Sequence, residues 1–233
     1  MVDLSAEAAE LWASLGPPAP GRARAIQFVA ARRGEGASTV ARELAAFAAR
    51  RAGRTVWLVD LDLFISPQHA AIAARPDLYG ELGKPVSATP DGGVFFTVQP
   101  PTPMPDGTLA PDSKFLVAHQ VGGDRFWVTR FRADALRGKQ AVHVLPSSDY
   151  WNTMKRHADL VIVDSPSADR SQAALTVAPF MDQTVLVVSA DQPDVSAPAR
   201  LRDAITAAGG RPSGVFFNRA QVEAPAFLRR IIP

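Results

Sequence analysis

Residues 32–39 read Arg-Arg-Gly-Glu-Gly-Ala-Ser-Thr and gather most of what a phosphate group asks of a protein. Gly34 and Gly36 allow a tight backbone turn, because glycine adopts positive φ without steric cost. Ser38 and Thr39 supply hydroxyls at the start of an alanine-rich run. A helix starting there would point its free N–H groups, and the positive end of its dipole, at an anion. Loops of this layout carry a lysine after the last glycine to reach the outer phosphates, and a Ser or Thr to hold magnesium. Here Ala37 stands in the lysine position. The nearest cations are Arg32 and Arg33, and arginine's planar fork does not reproduce a lysine point charge.

Carboxylates recur at two further places. Asp60 and Asp62 close one apolar run, and Asp164 closes another, Leu-Val-Ile-Val-Asp-Ser-Pro. Magnesium on a phosphate takes only one or two carboxylates besides the phosphate oxygens and water. A glycine loop with three such acids is therefore a candidate nucleotide site. Asn218 and Arg219 end one more apolar run and complete the set.

These residues need elements to position them. Residues 26–30 read as a buried strand before the loop, and residues 37–52 as the helix after it, stopped by Gly53. Residues 55–61 are apolar almost throughout, as a parallel strand covered on both faces must be. Acids at the carboxyl end of such strands stand where open α/β sheets place ligands. Further strands are expected at 142–145, 160–163, 184–189 and 214–217, with helices at 149–156 and 195–208. Strands alternating with helices predict a mostly parallel sheet flanked by helices.

Other stretches are less regular. Residues 5–15 form an amphipathic helix candidate, followed by the break Gly-Pro-Pro-Ala-Pro-Gly. Residues 66–90 read as short helices broken by prolines. Residues 91–135 read as a β-rich insertion, with strands at 94–99, 115–121 and 126–131, a proline-rich loop at 100–111 and a Gly-Gly-Asp turn. The whole chain, 1–233, is taken as one domain, with 1–21 as N-terminal helix and linker and 224–233 as a C-terminal tail.

Composition narrows the classes. With 47% apolar and 21% charged residues the chain is a globular type. A net charge of +2 gives no footprint for nucleic acid, and none is expected as partner. With no cysteine, disulfides and thiolate metal sites are excluded. The four histidines, His69, His119, His143 and His157, show no metal-ligand spacing. The first residues have no basic region followed by a long apolar one, so no secretory leader is expected. No run approaches the roughly 18 apolar residues of a membrane span.

Taken together, the motifs resemble the deviant P-loop superfamily of division-site and chromosome-partition ATPases. More closely they resemble the cytoplasmic domain of bacterial tyrosine kinases that accompany polysaccharide chain-length regulators. Gly-Glu-Gly-Ala-Ser-Thr is similar to that family's loop with lysine replaced by alanine. Val-Asp-Leu-Asp-Leu-Phe is similar to its second motif, with Phe64 where arginine is usual. The resemblance runs from about residue 25 to 220, and implies a P-loop NTPase-like fold. By residue, it implies that Arg33, Gly34, Glu35, Gly36, Ala37, Ser38 and Thr39 form the phosphate loop. Asn218 and Arg219 would flank the base. Ser38, Asp62 and Asp164 would hold magnesium, and Asp60 and Asp62 would serve catalysis. The implied cofactor is ATP or ADP with magnesium.

The departures carry equal weight. The loop lysine is gone. No tyrosine follows Tyr150, so a tyrosine tail is missing, and the first helix has Glu7 and Glu10 but no arginine. The resemblance then implies a degenerate, kinase-like component of exopolysaccharide or adhesin (capsule, holdfast) assembly. It would sit at the inner face of the cytoplasmic membrane through a membrane chain-length regulator, with a homodimer as further partner. The alternatives are a positioning ATPase of the division-site type, or an active ATPase or kinase using Arg32 or Arg33. Residues 225–233 set Phe227, Leu228, Ile231 and Ile232 around Arg229 and Arg230. That tail resembles the short membrane-targeting helix of the division-site ATPases, but packing on its own domain or on a partner is the favoured reading.

Overall fold

The computed structural model describes residues 4–16, 23–191 and 194–220. Helix α1 (Ser5–Leu15) is followed by strand β1 (Arg24–Ala30) and helix α2 (Ala37–Ala49). Strand β2 (Thr55–Asp60) leads to two short helices, α3 (Pro67–Ala73) and α4 (Pro76–Tyr79), each opened by a proline whose fixed φ suits a first helical turn. Strands β3 (Val86–Ser87), β4 (Phe96–Gln99), β5 (Leu116–Val121), β6 (Phe126–Phe131) and β7 (Ala141–Val144) come next. The chain then returns to alternation with α5 (Ser148–His157), β8 (Ala158–Asp164), α6 (Ala173–Val177), β9 (Gln183–Ser189), α7 (Ser196–Ala207) and β10 (Pro212–Asn218).

Among the described residues, eight strands form one sheet in the order β10-β9-β1-β8-β2-β6-β5-β3. From β10 to β6 neighbouring strands run parallel. The central strands β1, β8 and β9 are buried almost end to end, which is why they read as unbroken apolar runs. The path from β1 to β2 passes β8 on one side, and the path from β8 to β9 returns past β1 on the other. The order therefore reverses between β1 and β8, and a crevice opens beyond their carboxyl ends.

Apolar side chains seal both faces. On one, Val40 and Leu44 of α2 pack with Ile26, Phe28, Leu58 and Ile162, and Leu11, Trp12 and Leu15 of α1 lie over them. On the other, Trp151 and Met154 of α5 pack with Phe95, Val59 and Val161. The rings of Phe95 and Trp151 stack with centroids 5.2 Å apart.

The stretch 91–135 is more integral than an insertion laid on the sheet. Its β5–β6 hairpin joins the main sheet, because β6 pairs in parallel with β2. Strand β7, read from sequence as the return to main-sheet alternation, pairs instead with β4 in a separate antiparallel ribbon, Phe96 opposite Val144. The free edge of β2 is already taken by β6, and the half-exposed alternation of β7 suits a ribbon covered on one face. The linker after α1 and the tail 224–233 lie outside the described residues.

Candidate functional site

Strand β1 delivers the glycine loop to the crevice. Gly34 has φ +91° and Gly36 φ +100°, so both use the conformation that glycine alone adopts freely. Gly36 is also sterically closed: a Cβ there would lie 2.0 Å from Asn218 Nδ2. Gly36→Ala is expected to lower stability by about 1–2 kcal/mol through left-handed backbone strain alone. The shift should appear as an earlier urea midpoint; an unchanged midpoint would show that Asn218 and the loop give way freely.

The loop backbone is arranged as an anion nest. The N–H groups of residues 34–38 have no hydrogen-bond partner among the described residues. These five consecutive donors end at the N-terminus of α2, a helix of 13 residues. The two preceding N–H groups are already used, Arg32 donating to Glu35 Oε2 at 2.8 Å and Arg33 to Asp169 Oδ2 at 3.2 Å. The loop is braced from behind by the end of β10. Asn218 Nδ2 donates to the Glu35 carbonyl at 2.9 Å, and the Arg219 guanidinium to the Gly34 carbonyl at 3.1 Å. Asn218 and Arg219 thus stand against the phosphate turn itself.

The acids converge beside the nest. Asp60 and Asp164 are register partners on adjacent parallel strands. Asp60 is buried and accepts the N–H groups of Asp62 and Gln68, each at 2.9 Å. Burial first, then the neighbouring Asp164 charge, hold its carboxyl well above the usual range. Its geometry is that of a brace for the turn 61–68. Asp62 is ion-paired with Arg170 at 2.9 Å. Asp164 is 2% exposed, and its Oδ2 accepts Gln68 Nε2 at 2.7 Å while Oδ1 has no partner. Burial pushes its pKa up to about 6, against the pull of Gln68, the nearby Ser38 hydroxyl and the Arg42 charge.

Gln68 is the residue that sequence reasoning missed. It is fully buried and uses its whole amide: Nε2 donates to Asp164 and, at 2.7 Å, to the Ser38 carbonyl, while Oε1 accepts from Arg42 at 3.1 Å. Arg42 in turn donates to the Tyr79 hydroxyl at 3.0 Å, which bonds Glu43. One residue therefore ties the loop helix to both acidic strand ends, its side-chain amide reaching Asp164 and its backbone N–H Asp60. The only sequence signal was Pro67, a helix opener shortly after the Asp-Leu-Asp motif.

Positive charge is what the nest lacks. Ala37 is 7% exposed and packs into the core beneath α2. Arg32 is engaged by Asp194. Arg33 is exposed and makes no ion pair among the described residues. No group of three or more His, Cys, Asp or Glu among the described residues is placed to share a metal ion. The donor set nevertheless suits magnesium held mainly by phosphate oxygens and water: a hydroxyl at Ser38 and an orphaned, buried carboxylate oxygen at Asp164.

No family profile matches the chain, and no curated protein matches it. Solved structures do. The kinase domain of VpsO superposes with a TM-score of 0.57 at 17% identity, covering 93% of this chain and 95% of that one. The kinase domain of the Escherichia coli tyrosine kinase ETK gives 0.55 at 16%, covering 93% and 75%. The septum site-determining protein MinD from Pyrococcus horikoshii, complexed with Mg-ADP, gives 0.55 at 17%, covering 90% and 76%. At such identities the likeness is one of fold: the chain shares with these structures a mostly parallel sheet flanked by helices.

Proposed function

We propose that this chain binds a nucleoside di- or triphosphate and transfers no phosphoryl group. In this reading it is the degenerate, kinase-like cytoplasmic companion of a membrane chain-length regulator in exopolysaccharide or adhesin assembly. The observation that carries the first part is a five-donor nest at a helix N-terminus with no cation at its lysine position. Backbone N–H groups are enough to hold phosphate. A preorganised charge on the transferred group is another matter, and losing one such contact commonly slows a reaction by about 10²–10³-fold.

Ser38 would hold a magnesium ion together with the phosphate oxygens, and Asp164 would orient it through water. The ion would supply charge neutralisation for the phosphates. Asp62 is less available to it, being paired with Arg170. The polysaccharide assignment rests on the resemblance to tyrosine kinases that accompany chain-length regulators, read together with the absent loop lysine. It favours a role in binding over one in phosphorylation.

Calorimetric titration of Mg-ADP and Mg-ATP, run beside a phosphate-release assay, tests the reading. Saturable binding with release no faster than a blank is expected. No binding at all would retire the nucleotide reading. Release that disappears in Arg33→Ala would replace it with an active ATPase, since Arg33 is the loop cation without an ion pair among the described residues. Co-purification with a membrane chain-length regulator tests the partner; recovery of the chain only with itself would count against it.

A further inference from the structure

Two histidines that lie fifty residues apart in sequence meet in the fold. His69 comes from α3 and His119 from β5, and their rings stand with centroids 4.7 Å apart and planes at 55°. His119 is 8% exposed, and its Nδ1 lies 2.8 Å from the Gly83 carbonyl. A carbonyl only accepts, so Nδ1 carries the proton and Nε2 presents a bare lone pair. That Nε2 is buried and has no hydrogen-bond partner. A buried acceptor left alone is costly, and the arrangement asks for a group that takes a lone pair.

A metal ion meets that demand. Metal-ligating histidines donate their second ring N–H to a backbone carbonyl or a carboxylate, which fixes the tautomer and the ring plane. His119 already has that bond. His69 makes no hydrogen bond among the described residues. Burial first, then His119 and the Arg130 charge, push its pKa down to about 4, so the ring is neutral at ordinary pH, the form that ligates metal. With zinc–nitrogen bonds of about 2.0–2.1 Å, two imidazoles on one ion bring their ring centres to roughly 4.5–5.5 Å. The observed spacing falls within that span. The Arg130 charge beside His69 is answered by Asp134 at 3.4 Å.

We propose that His69 and His119 form a two-imidazole site for a divalent transition metal of the zinc, copper or nickel class, sharing no residue with the phosphate crevice. Imidazole nitrogen suits these ions, whereas magnesium prefers oxygen. No third His, Cys, Asp or Glu among the described residues joins the pair, so water or an outside ligand completes the coordination. His119 stays in place, its ring held by Gly83. His69, half-buried on a helix of seven residues, changes rotamer to let the ion reach Nε2. The ion then clips α3 to β5. Gln68 directly precedes His69, so the clip also steadies the residue that holds Asp164.

Calorimetry with zinc chloride on the untagged, chelator-treated chain, without nucleotide, tests the proposal. One saturable site is expected. Its affinity should fall at least ten-fold in His69→Ala and stay unchanged when His143→Asn and His157→Asn are combined. A second measurement needs no variant: one equivalent of copper should show two nitrogen ligands by electron paramagnetic resonance. No saturable zinc binding overturns the proposal, as does equal affinity in wild type and His69→Ala. Loss of binding in the His143 and His157 double variant, or a copper signal with a single nitrogen, overturns it in favour of adventitious surface histidines. Displacement of zinc by excess magnesium overturns it in favour of the crevice acids. No readout involves nucleotide, so the result stands apart from the proposed function.

Discussion

Ala37→Lys is expected to tighten Mg-ADP and Mg-ATP binding by about 10- to 100-fold, since one charge-assisted hydrogen bond contributes roughly 1.5–3 kcal/mol. The position begins α2, directly after Gly36, within the run of five N–H groups left open among the described residues. A lysine there starts beneath the nest and can run its stem along the loop, placing the ammonium at the outer phosphates. Without ligand the same change should cost stability. Ala37 packs among core residues, and an ammonium anchored there must reach outward for water. The signature is thus two-sided: a lower melting temperature than wild type without nucleotide, and a larger rise on adding Mg-ADP. Calorimetry and thermal unfolding read the two halves. Equal affinities for the two proteins would sink the view that the loop lacks one cation and little else.

Asp164→Asn is expected to stabilise the protein by roughly 3 kcal/mol near neutral pH while weakening magnesium-dependent nucleotide binding. The carboxyl is buried, with one oxygen unpartnered, and its pKa stands at about 6 against an ordinary 3.8. Because the folded value is the higher one, folding favours the protonated acid. That contribution is fully present below the ordinary carboxylate range and is lost as pH climbs through it towards 6. A tenfold change in proton affinity corresponds to about 1.4 kcal/mol, so asparagine recovers an energy of this order by staying neutral at every pH. Gln68 Nε2 still finds an acceptor in the asparagine carbonyl. Urea unfolding between pH 4 and 8 is the measurement. Wild type should lose stability across pH 4–6 relative to the variant, and parallel profiles would refute the assignment to Asp164. Asp60, whose carboxyl is raised in the same direction, leaves a residual slope in both proteins.

The two results would describe one trade. The crevice keeps an uncompensated acid and a set of open donors that a merely structural turn has no reason to keep. Neutralising the acid helps the fold and harms the site; adding the cation does the reverse.

The sequence by itself determined the parallel core and the strand ends. Runs such as 26–30, 160–163 and 184–189 are apolar almost throughout, a pattern that only a sheet covered on both faces demands, and the loop glycines and the three aspartates follow directly from where those runs stop. It determined the missing charge as well, since alanine cannot act as lysine in any conformation. Tertiary structure alone decided which neighbours those residues meet. Gln68 becomes the joint of the site because α3 sets it against β8, nearly a hundred residues further along the chain, a contact with no periodicity to announce it. The pairing of β7 with β4 depended on β6 having taken the edge of β2, a competition between strands that no local pattern records. Arg32 and Arg33, alike in sequence, part company because Asp194 lies within reach of one and no acid among the described residues pairs with the other. Local pattern reports burial and backbone conformation, while charge pairing and buried hydrogen bonds depend on distances that exist only once the chain has closed on itself.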